Sequence, residues 1–414
     1  MPLRRANDGP PMNRVVVTGL GVCAAPGKNV AEFAAGIKSG RSAIGPITII
    51  PSEGLITKIG AQVLDFDPAA HFAENKLALY DRCTQFALVA AREAIAQSGL
   101  QFRDGLGART AAIIGSGVGG QSTLDDNYLR VYGQGAKRLH PFTIPKLMIN
   151  APCSHITMEH GITGPSFVVA SACSSANHAI GVAFQMVRAG MAEAAVTGGT
   201  EAVFTFGTIK GWEALRVMAP DTCRPFSAGR KGMVLGEGAA VLVLETRERA
   251  LARGAAILAE IIGFGATSDA GDIVLPAAEG AAGAMSACLK DAGIAPDSVD
   301  YINAHGTGTT ANDVTETKAI HMVFGERAKS LAISSTKSLH GHTLGAAGAI
   351  EAAATILAMR GGFIPPTANF LAPDPQCDLD YVPNEARSRQ IGVALSNSFA
   401  FGGHNASIAI RRGE

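Results

Sequence analysis

A surplus of charge of either sign is absent from this 414-residue chain: 35 Lys and Arg face 35 Asp and Glu, so the formal net charge is zero. A neutral chain lacks the electrostatic footprint of a nucleic-acid binder, although an acidic partner can still be met by a local basic patch. Long apolar runs are missing too. The longest stretch free of Asp, Glu, Lys and Arg, Gly161 to Val187, is interrupted by Pro165, His178 and several Ser and Gly, so no membrane span is expected. Aromatic residues are scarce, and Trp212 is the one tryptophan. The seven cysteines, at 23, 83, 153, 173, 223, 288 and 377, form no CxxC and are odd in number. That argues against a disulfide framework and a zinc site, and for the reducing cytoplasm. The opening MPLRRANDGPPMNR has Arg4 and Arg5 but no apolar run behind them, so it is not read as a secretory signal. Residues 1–12 are expected to form a disordered tail, with Met12 as an alternative start.

What is present is enough apolar residue, 47%, to bury an extensive core. Short β-branched runs ending in Gly, Ser or Thr alternate with Ala-rich stretches: RVVVTG, TAAIIGSG, SFVVAS, AEAAVTGG, DYINAHG, LAISS and VALSNS. Continuous apolar strands alternating with helices indicate an α/β protein whose sheet is covered on both faces. The charged stretch TRERALARGAAI precedes a new strand, LAEIIGFG, and places a seam near residue 257. The expected units are 13–257 and 258–414, packed intimately against each other. Two Gly-rich turns, Gly19-Leu-Gly21 and Gly115-Ser-Gly117-Val118, follow strands as a dinucleotide fingerprint would. Neither has the acidic residue that the fingerprint requires at the end of the next strand, so both read as tight turns.

Four segments carry chemistry. In SFVVASACSSANHAIGVAFQ a strand stops at Ser171 among small residues and a helix begins around Cys173. A cysteine at a helix N-terminus feels unpaired N–H groups and the positive end of the dipole, which favour thiolate. Alone, this segment fits an inert core cysteine equally well. In DYINAHGTGTTANDVTETKAI, His305 sits at a strand end in a Gly/Thr turn, a place suited to a pocket wall. In LAISSTKSLHGHTLGAAGAIEA, Lys337, His340 and His342 precede a small-residue helix whose N-terminus would keep a nearby imidazole neutral. Metal binding by His340-Gly-His342, or a solvated loop, is the competing reading, but for a metal no carboxylate or Cys stands at ligand spacing. LSNSFAFGGHNAS fits an ordinary hairpin, or a hinged flap built on Phe401-Gly402-Gly403.

These four motifs, in this order and over nearly the whole chain, resemble the β-ketoacyl-[acyl carrier protein] synthases of the elongating type II class. GWEALRVMAPDTCRPFSAGRKGMVLGEGA, with SACSSANHAI, is most similar to the rhizobial nodulation-type branch of that family. The resemblance implies a thiolase-like fold, two similar halves in five alternating layers (αβαβα), forming a homodimer. It implies Cys173 as the acyl-accepting nucleophile and His305 and His342 as its histidine partners, with Lys337 beside them and Glu316 paired to that lysine. Thr307 and Thr309 match residues that bind the pantetheine arm. Phe401 matches the gating aromatic, whose N–H joins that of Cys173 in an oxyanion hole. Val118, Thr143, Trp212, Arg216 and Gly402 complete the substrate-binding set that the resemblance implies. No metal or redox cofactor is expected, and the partner is an acyl carrier protein.

The chain departs from the pattern in places. Thr143 and Trp212 fall where Phe is common, which implies a reshaped acyl tunnel and a preference for unusual, long or unsaturated chains. Arg216 matches an arginine that meets the carrier, whereas FAENKLALYD offers only Lys76. Ala400 and His404 replace Gly and Thr in the flap. Two other readings are weighed: a thiolase, disfavoured because FAFGGHN has no second catalytic cysteine, and a non-catalytic chain-length-factor subunit, disfavoured because Cys173, His305 and His342 are all present.

Overall fold

In the computed structural model residues 12–413 are described, so the expected tail lies, Met12 apart, outside the described residues. The main sheet has ten strands: β1 (Val15–Ala24), β2 (Thr110–Gly115), β3 (Ser166–Val169), β4 (Ala194–Glu201), β5 (Gly238–Thr246), β6 (Ala259–Ser268), β7 (Tyr301–Asn303), β8 (Ala332–Ser334), β9 (Val393–Ala400) and β10 (His404–Arg412). Their spatial order is β8-β7-β9-β10-β6-β1-β5-β4-β2-β3. The order of each half, β3-β2-β4-β5-β1 and β8-β7-β9-β10-β6, is the same with five added to every label. The senses repeat as well: β2 is parallel to both β3 and β4, as β7 is to β8 and β9, and the remaining pairs within each half are antiparallel. The halves meet where Val15–Val17 of β1 pairs with Ala259–Ile261 of β6.

The helices repeat in step. In the first half those that repeat are α1 (Arg82–Ser98), α2 (Ala151–His160) and α3 (Ser175–Arg188); α4 (Phe206–Ala214), like Val30–Ser39, Gln121–Tyr128 and some shorter helices, lies outside the repeated set. The second half has α5 (Ala278–Ala292), α6 (Thr310–Phe324) and α7 (Ala347–Gly361). Helices α3 and α7 pack on each other and touch strands of both halves, so they form the middle layer; α1 with α2, and α5 with α6, cover the outer faces. This is the thiolase-like αβαβα sandwich. The middle helices are made of small residues because they are covered on every side: Ala347–Ile356 of α7 are all buried. Close approach is also enforced on the sheet, since a Cβ on Gly115 would lie 2.5 Å from the backbone N of Ala176 in α3.

The repeat determines what lies where. Cys173 leads into α3 after β3, and His342 leads towards α7 after β8, so they occupy matching positions at the N-terminal ends of the two middle helices. His305, just past β7, matches the turn after β2.

Candidate active site

Three segments bring Cys173, His305 and His342 together at one end of the middle layer. The chain leaves β3 through Ala172, whose φ of +49° is in the left-handed region, and the turn is held by Ser175. The Ser175 hydroxyl donates to the Ala172 carbonyl at 2.6 Å and accepts the Ser171 N–H at 2.9 Å. Cys173 is buried, 6% exposed. Around its sulfur stand its own N–H, the N–H of Phe401 and, at 3.1 Å, His342 Nε2. These donors and the end of α3 favour thiolate, as does the Lys337 charge, but burial outweighs them and raises the resting thiol to about 12. The thiolate expected from helix position alone is therefore not the resting form.

The protonation pattern of the two imidazoles follows from their second nitrogens. The Leu344 N–H donates to His342 Nδ1 at 3.2 Å, so the proton of neutral His342 sits on Nε2, facing the sulfur. Lys337 Nζ, which can only donate, lies 3.3 Å from His305 Nδ1, so the His305 proton also sits on Nε2. The rings stand perpendicular, 5.5 Å apart. Burial first, then the Lys337 charge, holds both imidazoles well below their ordinary range, and each is a neutral donor.

The expected pairing of Glu316 with Lys337 is corrected by the structure. Lys337, fully buried, is ion-paired with Glu351 of α7. Glu316, on α6, instead accepts the N–H groups of His305 and Gly306 at 2.8 and 2.7 Å and so fixes the turn that carries His305. Burial pushes its carboxyl up to about 7, against the pull of those two bonds. The lysine's partner was missed in the sequence, where its signal was the one acidic residue of a helix made mostly of small and apolar residues. Glu201 was missed as well. Buried at the end of β4, it accepts Ser116 Oγ and the N–H groups of Gly117, Val118 and Gly345 at 2.7–3.3 Å. The donors of that Gly-rich turn are thus used inside the protein. His340 is no solvated loop residue: buried, it is engaged by Gly341 O at 2.8 Å and Thr336 Oγ1 at 3.0 Å.

A cavity of about 180 Å³ opens onto Cys173, His305 and His342, with Thr307, Thr309, Trp212 and Phe401 in its walls. The two threonine hydroxyls are 2.9 Å apart. The other expected contacts lie outside it. Arg216 is exposed at a φ of +57°, one residue before Val217, which does line the cavity. Gly402 shapes the flap turn at a φ of +82° and donates to Ile273 O at 2.8 Å. Val118 is exposed in the turn held by Glu201, and Thr143 borders a separate cleft with Arg130 and Lys146.

A duplicated thiolase-like fold that converges a cysteine and two histidines on one cavity defines a condensing acyltransferase. Residues 12–250 match the N-terminal domain of β-ketoacyl synthases and residues 258–371 match the C-terminal domain. The chain belongs to the β-ketoacyl synthase family. It is 48% identical to nodulation protein E of Rhizobium sp. (strain N33), over 96% of this chain and 99% of that protein. It is 42% identical to the 3-oxoacyl-[acyl-carrier-protein] synthase 2 of Staphylococcus aureus (strain N315), over 97% of this chain and 99% of that one. Among solved structures, a ketosynthase in complex with its type II polyketide synthase acyl-carrier protein superposes with a TM-score of 0.88 at 33% identity, covering 97% of this chain and all of that one. The resemblance to the elongating class and its nodulation-type branch is borne out.

Proposed function

We propose that this chain is a 3-oxoacyl-[acyl carrier protein] synthase, joining an acyl group held on Cys173 to malonyl-[acyl carrier protein] with loss of carbon dioxide. The observation that carries this reading is the convergence of two imidazole Nε2–H donors and two backbone N–H donors on the cavity that holds the Cys173 sulfur. In the first step the Cys173 sulfur attacks the acyl thioester. A new carbon–sulfur bond forms, the carrier's breaks, and the proton lost from Cys173 is taken up by the departing thiolate. In the second, malonyl thioester sheds carbon dioxide and its electron pair becomes an enolate, whose oxygen is held by His305 and His342. The enolate carbon attacks the acyl-cysteine, and the Cys173 and Phe401 N–H groups receive the tetrahedral oxyanion. The Cys173 thiolate then leaves. Lys337 fixes the His305 tautomer, Glu316 fixes its backbone, and Thr307 and Thr309 bind the pantetheine arm.

The carrier partner is supported by the carrier-bound relative, and Arg216 and Lys76, both exposed, are its basic contacts. A homodimer is supported by β3, which ends the sheet with Phe167 43% exposed. A seam at residue 257 is supported by the start of β6 at Ala259. A reducing cytoplasmic setting is supported by seven unpaired cysteines. Among the described residues no helix is long and apolar enough to cross a membrane. The test is incubation with acyl- and malonyl-carrier protein. A 3-oxoacyl product two carbons longer is expected, and none from Cys173→Ala; decarboxylation without condensation would favour a non-condensing partner subunit.

A preference for unusual, long or unsaturated acyl chains belongs to the same proposal, resting on Trp212 in the Cys173 cavity and on Thr143, which lies outside it and by the resemblance falls near the partner subunit's pocket. For Thr143→Phe a changed product-length profile is expected across a panel of acyl carriers. An unchanged profile would mean that this position does not select the chain.

A further inference from the structure

We propose that Trp212 is a latch for the Phe401 flap, a positioning residue that holds the gate shut and sets the Phe401 N–H on the Cys173 sulfur; this rests on the condensing reading above. The two rings are stacked, with centroids 5.9 Å apart and planes 26° from parallel, and both line the Cys173 cavity. That cavity, about 180 Å³, is well below the roughly 300–1,000 Å³ of a typical ligand pocket. An acyl chain on its pantetheine arm therefore needs the wall to move.

The two faces of the stack differ in what anchors them. Trp212 belongs to α4, which is pinned on three sides. Its N-cap Thr205 accepts the Thr208 N–H at 3.2 Å, Ile209 is fully buried, and the neighbouring Glu213 accepts the N–H groups of Ile56 and Thr57 at 2.6 and 2.7 Å. Phe401 lies in the turn between β9 and β10, followed by Gly402 and Gly403 at φ of +82° and +69°. Outside the turn its main-chain ties run to the loop after β6: the Gly402 N–H donates to O of the exposed Ile273 at 2.8 Å and the Gly403 carbonyl accepts the Asp269 N–H at 3.0 Å, and the two glycines let the turn rearrange when those bonds part. The rigid face is thus the indole and the hinged face is the phenyl.

The stack carries a second consequence. The Phe401 N–H points at the Cys173 sulfur while its ring lies on Trp212. A flap displaced to admit a chain takes that N–H away from the sulfur, and re-stacking restores it. Losing the indole therefore acts in opposite directions on the two half-reactions. Acyl loading is eased, by roughly the two- to tenfold factor that an aromatic pair supplies. Condensation, which needs the N–H in place, is slowed.

The experiment uses the full-length enzyme and dodecanoyl-carrier protein, with the emission of the chain's one tryptophan followed alongside intact mass. Emission is expected to change with the same rate constant as the appearance of the acyl adduct. Phe401→Leu keeps the N–H and loses the ring, and its unloaded emission should already resemble that of loaded wild type. Trp212→Leu should load roughly two- to tenfold faster yet condense more slowly, and Trp212→Phe should restore both. An adduct that forms with emission unchanged, or a Trp212→Leu variant that slows both steps alike, overturns the latch and leaves Trp212 a static wall. Absence of any adduct overturns the condensing reading and the latch with it.

Discussion

His342 faces Cys173 as a donor because a backbone N–H, that of Leu344, occupies its other nitrogen. A base that pulls the thiol proton would need Nε2 bare and the proton on Nδ1, which this bond disfavours, so the proposed division of labour follows from one main-chain contact. For His342→Ala, loss of malonyl decarboxylation is expected with acyl transfer to Cys173 largely kept, measured as the two half-reactions separately; equal loss of both would contradict the assignment. The pH dependence follows the same logic. An unfolded imidazole takes up a proton as pH falls through about 6.5, whereas folded His305 and His342, held well below that value, do not. The unfolded state then binds more protons, so this contribution to stability is complete above pH 6.5 and declines below it. Neither imidazole gives activity an inflection there. The groups at the site that burial brings into this range are Glu316 and Glu351, both pushed up to about 7, so a fall in decarboxylation rate from pH 7 to 6 is expected to be reduced in Glu316→Gln. A fall centred on 6.5 and unchanged in both Glu316→Gln and Glu351→Gln would mean that a titrating histidine is exposed. At this scale His305 was legible from its place at a strand end among Gly and Thr, whereas Cys173 fitted an inert core cysteine equally well and was singled out by the resemblance. The carboxylate partners were not legible. Whether Lys337 meets Glu316 or Glu351 depends on which helix crosses the site, and spacing along the chain is silent on that.

The elements were legible in kind because their periodicities are strong: apolar β-branched runs for covered strands, Ala-rich stretches for α3 and α7. Less legible was the role of the turns. SGVGG after β2 reads as a tight turn for want of the acidic residue that a dinucleotide fingerprint requires, but nothing in its spacing announces that Glu201, 84 positions beyond Gly117, takes its N–H groups. The flap was readable as either a hairpin or a hinge, and the structure shows the hairpin: β9 and β10 pair directly across it, and its tip bears Phe401. The short strand β3 leads directly into the Cys173 elbow and also ends the sheet, with Phe167 exposed. An unpaired edge of this kind is a template for another strand. If a second copy covers it, Phe167→Asp places a charge in that contact and should shift the sedimentation of the protein from dimer towards monomer, with lower activity. Sedimentation identical to wild type would place the dimer contact elsewhere.

Across the whole molecule, the duplication explains why the chemistry needs both halves. The first half supplies the cavity with its cysteine and the second with its two histidines; Cys173 and His342 lead into the middle helices α3 and α7 from matching positions, and His305 follows β7. Zero net charge, which says little by itself, now bears on docking: attraction of an acidic carrier rests on a local patch and not on the field of the whole protein. Of the seven cysteines, only Cys173 lines the cavity with the histidines. The most direct test is a single turnover. The enzyme is loaded from acyl-carrier protein, the adduct is mapped by peptide mass, and malonyl-carrier protein is then added. The adduct is expected on Cys173 and should disappear as one carbon dioxide and one 3-oxoacyl product, two carbons longer, are formed. An adduct on another cysteine, or one that persists while malonyl is decarboxylated, would contradict the account.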